Sequence, residues 1–163
     1  MLSKTLQKAF NDQIQKELYS SYLYLAMAAH FESISLTGFA SWMKKQSEEE
    51  RSHGMRLWEH VFDRGGKVTL QALEQPPVKF GKPLAVVEQV LEHERKITAS
   101  IHALYALALK EGDVAAQIFL QWFVTEQVEE EKHATELVER VKMTGDNAAG
   151  LLFLDQHVVG TRK

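Results

Sequence analysis

The chain has 163 residues, of which 45% are hydrophobic and 25% charged, and a formal net charge of −3. This is an ordinary globular balance on the scale of one domain, and its mildly negative charge argues against a general affinity for nucleic acid or anionic membrane. The sequence contains no cysteine, which excludes disulfides, thiolate zinc sites, iron–sulfur clusters and cysteine nucleophiles, so any metal chemistry must run on carboxylate and imidazole.

The amino terminus, MLSKTLQKAFNDQIQKE, lacks the apolar core of a signal peptide. No stretch approaches the roughly 20 apolar residues that span a bilayer, so a cytoplasmic protein is expected. Apolar residues then recur at intervals of three and four, the helical period. Helix one is expected from Ser3, an N-cap, to about Ser33, with Leu6, Phe10, Ile14, Tyr24 and Phe31 on one stripe. Helix two covers about Leu36 to Arg64 and stops at Gly65-Gly66, a C-terminal signal. A link holding Pro76 and Pro77 follows. Helix three opens at Pro83, a residue favoured in a first turn, and continues to about Lys110. Helix four follows the Glu111-Gly112-Asp113 turn and runs to about Thr144, and a short apolar helix is expected from Asn147 to Val159.

Helices of about 30 residues are about 45 Å long, and in so small a chain they must lie side by side. Short turns make one and two, and three and four, antiparallel pairs. The link between two and three holds about 18 residues and reaches about 60 Å, enough to return along the whole bundle. The expected fold is therefore all-α: an up-down-down-up four-helix bundle with one long crossover and a short fifth helix. It forms a single domain over residues 1–163, with the bundle at about 3–144.

Each apolar stripe is interrupted at mid-helix by acid. Glu17 interrupts helix one; Gln46, Glu49, Glu50 and His53 interrupt helix two; Glu94 interrupts helix three; Glu126, Gln127 and Glu130 interrupt helix four. Any one of these glutamates, taken alone, reads more readily as a solvated charge at a stripe edge. Four at one level are harder to explain so, because an isolated buried carboxylate is costly enough to protonate or move to solvent. No lysine or arginine lies on these stripes, which leaves a multivalent cation to neutralise the acids. Oxygen-rich ligands with one or two imidazoles suit iron or manganese better than zinc. Glu50-Arg51-Ser52-His53 is a Glu-x-x-His pair on one helical face, of the type found in di-metal carboxylate bundles. Helix four leaves two registers open. Glu130-Glu131-Lys132-His133 is a second Glu-x-x-His, whereas Gln127-Val128-Glu129-Glu130 has the same spacing one turn earlier.

The blocks QIQKELYSSYLYLAMA, QSEEERSHGMRLWEHV and FLQWFVTEQVEEEK, with the tail LLFLDQHV, closely resemble non-haem bacterial ferritins over essentially the whole chain. The resemblance implies a first iron held by Glu17, Glu50 and His53, with Glu50 bridging to a second iron held with Glu94 and Glu130. Gln127 would be a weak ligand or hydrogen-bonding group beside the pair. Glu49, Glu126, Glu129 and Glu130 would form a third iron site. Tyr24 takes the place of a catalytic aromatic flanking the centre, and Trp122 that of a second aromatic there, with plain core packing as the alternative for both. His133 falls one turn beyond the ligands. The bacterioferritin branch carries a haem-ligating methionine between the Glu and the His of the first motif; here that interval is Arg51-Ser52, so no haem is expected. The implied activity is ferroxidase chemistry with oxygen or peroxide, feeding a mineral inside a homo-oligomeric cage of twenty-four subunits. A rubrerythrin-like protein would need a cysteine-held iron. A DNA-protecting mini-ferritin would place its iron between subunits and carry more basic tail than Arg162-Lys163.

Overall fold

The computed structural model describes residues 1–158. The Val159 end expected for the fifth helix, and Arg162-Lys163, lie outside these residues. The described chain forms α1 (Lys4–Ser33), α2 (Thr37–Asp63), α3 (Pro83–Lys110), α4 (Val114–Thr144) and α5 (Ala148–His157).

Local chemistry explains most boundaries. The Ser3 hydroxyl accepts from the Leu6 amide at 3.0 Å and caps α1. At the end of α2, Gly65 takes φ +69°, a left-handed conformation that costs glycine little. The Gly66 amide then donates back to the Val61 carbonyl at 2.8 Å. Pro83 occupies the first turn of α3. Asp113 caps α4 by accepting from the Ala116 amide at 2.9 Å, and it receives both Arg64 amines at 3.0 Å. One carboxylate thereby ties the end of α2 to the start of α4.

The topology follows from two apolar clusters. One gathers Leu23–Phe31 from late α1, Phe39–Met43 from early α2, Val86–Val90 from early α3 and Leu137–Val141 from late α4. The other gathers Leu6–Ile14, Leu57 and Val61, Ile97–Ala108, and Ala116–Phe123 from the opposite halves. Such pairing requires α1 and α4 to run one way and α2 and α3 the other. The crossover is tied along α1: the Thr69 amide donates to Asn11 Oδ1 at 2.7 Å, and His30 Nε2 donates to the Gly81 carbonyl at 2.8 Å. Between the two clusters lies a buried polar layer.

The fifth helix docks on α2 and α4. Leu151 and Leu154 pack on the first cluster, while Leu152 and Phe153 remain exposed. Leu36, at the N-cap of α2, supplies no side-chain cap. Asp155 of α5 does so instead, accepting from the Phe39 amide at 2.9 Å.

Candidate metal centre

The polar layer holds Glu17, Glu50, His53, Glu94 and Glu130, none more than 4% exposed. Helical spacing puts each on its helix's inward stripe, and antiparallel packing brings the mid-points of four helices to one level. No lysine or arginine is buried among the described residues. Four carboxylates and one imidazole therefore share a low-dielectric space in which they repel one another.

The candidate ligand atoms form three linked groups. Glu17, Glu50 and His53 make one, Glu50, Glu94 and Glu130 a second, and His53, Glu126 and Glu130 a third; within each the atoms lie within 4.8 Å of one another. Glu50 belongs to the first two groups, so one carboxylate can bridge two cations. His53 Nδ1 lies 3.5 Å from Glu50 Oε2. Both Glu50 oxygens and Glu17 Oε2 are buried without a hydrogen-bond partner. Leaving a buried acceptor unsatisfied costs about 1–3 kcal/mol, more when it is charged, and oxygen donors at this spacing are what a hard cation takes up.

Four of the other oxygens are held by neutral donors. Gln13 Nε2 donates to Glu17 Oε1 at 2.8 Å, and Gln46 Nε2 to Glu130 Oε2 at 3.2 Å. Gln127 Nε2 lies 3.2 Å from both Glu94 Oε2 and Thr98 Oγ1. The Tyr24 hydroxyl donates to the other Glu94 oxygen. Burial, reinforced by Glu94 and Glu50, pushes the Tyr24 phenol well above its ordinary value, so it stays a donor. Gln13 was not singled out by its sequence; its signal is the four-residue spacing to Glu17.

Of the acids expected further along the centre, Glu126 is half-buried and joins His53 and Glu130. Glu49 is half-buried and Glu129 exposed, and neither enters any of the three groups. His133 also falls outside them. Among the other histidines, His60 lies outside these groups as well. It is buried, stacked on Phe119 at 3.8 Å, and has no partner at Nε2. Burial holds it below its ordinary pKa.

Burial and then the Glu130 charge raise Glu94 to about 8, against an ordinary 4.5. Burial, with Glu94 and Glu17, pushes Glu50 up as well. Between pH 4.5 and about 8 the metal-free fold keeps a Glu94 proton that the unfolded chain has lost. Stability is therefore full at the acid end of that window and falls as pH rises through it. Burial holds the His93 and His60 imidazoles below their ordinary 6.5, which works the other way at lower pH. The expected result is therefore a metal-free melting temperature lower at pH 8 than at pH 6.5, by on the order of 5 °C. Co(II) should raise the pH 8 value most, because ligation replaces the protons. Calorimetry in chelator-treated buffer checks both; a metal-free protein that melts higher at pH 8 would contradict the repulsion.

Comparison with known proteins agrees with this geometry. The ferritin-like domain family model matches residues 7–144. The chain is 44% identical over 158 residues to a bacterial non-heme ferritin of Bacteroides fragilis, covering 97% of this chain and 98% of that one. It is 35% identical over 162 residues to its Staphylococcus aureus counterpart, covering 99% and 97%. A crystal structure of the open pore ferritin of the archaeon Archaeoglobus fulgidus superposes with a TM-score of 0.96 at 46% identity, over 97% of this chain and 98% of that one. A buried four-helix carboxylate centre, a matching family model and near-full-length relatives together show that this chain belongs to the ferritin family.

Proposed function

We propose that this protein is an iron-storage ferritin whose ferroxidase centre is the layer just described. Glu17, Glu50 and His53 hold one Fe(II), and Glu50, Glu94 and Glu130 hold the second, with Gln127 orienting Glu94. Each Fe(II) gives one electron to dioxygen, which leaves with two protons as hydrogen peroxide; hydrogen peroxide as oxidant takes two electrons and two protons to leave as two waters. Hard anionic oxygens favour the ferric product over the ferrous substrate, so the ligand set itself drives oxidation. Glu126 and Glu130, with His53, offer a third position through which Fe(III) leaves for the mineral; Glu49 and Glu129 flank it on the same acidic runs. Tyr24 is the catalytic aromatic, held on Glu94. No haem takes part.

The observation carrying this reading is Glu50, fully buried with neither oxygen hydrogen-bonded and shared by two groups of ligand atoms. Storage also requires a shell, and exposed Leu152 and Phe153 on α5 are apolar surface for a neighbouring subunit. We assign a homo-oligomeric cage of twenty-four subunits working in the cytoplasm, without nucleic-acid or membrane partners. No helix among the described residues is long and apolar enough to cross a membrane.

Light scattering combined with iron analysis of the sized protein tests storage. The expected result is one particle far larger than the 18.6 kDa subunit that retains, after aerobic Fe(II) addition, many more irons than it has ligand groups. A monodisperse monomer or dimer without retained iron would refute it. The open register on α4 is tested in the same protein. Glu130→Ala should slow the fast phase of oxidation by at least about tenfold, and His133→Ala by less than about twofold, as expected for a ligand and a non-ligand. The reverse order would assign the metal to the Glu130–His133 pair.

A further inference from the structure

We propose that Arg56 is a positioning residue for the metal centre: its guanidinium, stacked on Trp122, presses that indole against His53 and so fixes the imidazole among its carboxylates. The proposal rests on the metal-centre reading above. Arg56 follows His53 by one turn of α2, and its guanidinium carbon lies 4.1 Å from the Trp122 ring centroid. The Trp122 ring in turn meets His53 edge to face at 5.4 Å and 78°. Phe123 closes the other side, 6.1 Å from His53 at 77° and 4.9 Å from Trp122 at 87°. The imidazole thus sits in an aromatic corner, and the outer wall of that corner carries an arginine.

Two effects of this arginine oppose each other. A positive charge one turn from His53 disfavours loading a divalent cation. A guanidinium over an indole, by contrast, pins the ring through cation–π attraction, and a ligand imidazole held in place binds metal more tightly than one that rotates. Charge alone therefore predicts that Arg56→Gln binds metal more tightly, whereas positioning predicts weaker binding.

Anaerobic Co(II) titration of the assembled protein, followed by visible absorption and calorimetry, separates them. The expected result is about tenfold weaker Co(II) binding in Arg56→Gln, with the metal-free melting temperature unchanged within about 2 °C, as for an exposed side chain. Arg56→Lys, which keeps the cation, should recover part of the loss. In a Trp122→Leu background, Arg56→Gln should have no further effect, because the two residues act as one unit. Equal or tighter binding by Arg56→Gln, or additive losses in the double variant, would overturn the proposal while leaving the metal centre intact. Wild-type protein that binds no Co(II) would overturn the metal centre itself, and the proposal with it.

Discussion

Glu50→Gln should abolish paired metal loading and, at the same time, stabilise the metal-free protein. Both effects follow from one carboxylate, which is fully buried, has two oxygens without hydrogen-bond partners, and belongs to two groups of ligand atoms. Glutamine keeps the shape but replaces an anionic oxygen with an amide nitrogen that cannot ligate. Loss of an outer partner of a metal ligand costs about 10–100-fold in affinity or activity. Loss of the shared ligand should exceed this, lowering the fast oxidation rate by more than about 100-fold. Without metal, the substitution removes one of four mutually repelling acids, and its amide hydrogens can be given to Glu17 or Glu94. Relief of about 1 kcal/mol or more should raise the melting temperature by at least about 3 °C for a chain of this size. Stopped-flow oxidation and apo-protein calorimetry check the two halves separately. A variant that oxidises iron at the wild-type rate would remove Glu50 from the centre. One that melts lower without metal would mean that protein contacts, not a cation, stabilise the carboxylate.

Gly38→Ala should undock α5. A β-carbon at Gly38 would lie 1.6 Å from the Asp155 carbonyl oxygen, far inside contact distance, and backbone on both sides leaves nothing flexible to move. The helix has to retreat, which breaks the 2.9 Å bond from the Phe39 amide to Asp155 and lifts Val158, Leu151 and Leu154 from the first apolar cluster. Loss of a cap costs about 1 kcal/mol, and the lost burial adds a similar amount or more. A fall of about 2–4 kcal/mol, or roughly 5–15 °C, is expected. Gly150→Ala is the control: its nearest neighbours are 3.6 Å away, so alanine should be neutral or slightly stabilising there. Equal melting temperatures for Gly38→Ala and wild type would show that the α2–α5 contact yields easily.

The helices were legible because their ends carry local signals. Ser3, Gly65-Gly66, Pro83 and Asp113 act through backbone chemistry within a few residues, so the expected ends of α1 to α4 fall within about a residue of those observed, as such boundaries allow. The acid layer was legible because Glu17, Glu50, Glu94 and Glu130 each interrupt an apolar stripe, and a stripe records which way a side chain faces. The α4 acids were harder. Glu126, Glu129, Glu130 and His133 lie within two turns of one helix, where a small rotation decides which are buried. The packed structure buries Glu130, half-buries Glu126 and His133, and exposes Glu129. The role of Asp155 was not legible. In LLFLDQHV it reads as a polar residue on a small helix, and only docking against the start of α2 gives its carboxylate an amide to accept from. His60 was unreadable for the same reason, since its phase says that it faces inward but not that Phe119 will stack on it.

The central claim is that these acids form one two-metal oxidising site within each subunit. Its most direct test is to load the metal-free protein anaerobically with increasing Fe(II), admit oxygen, and count the irons oxidised in the fast phase per subunit. The account predicts that this number saturates at two, one for each group that shares Glu50. A fast phase that saturates at one iron, or no fast phase at any loading, would contradict it.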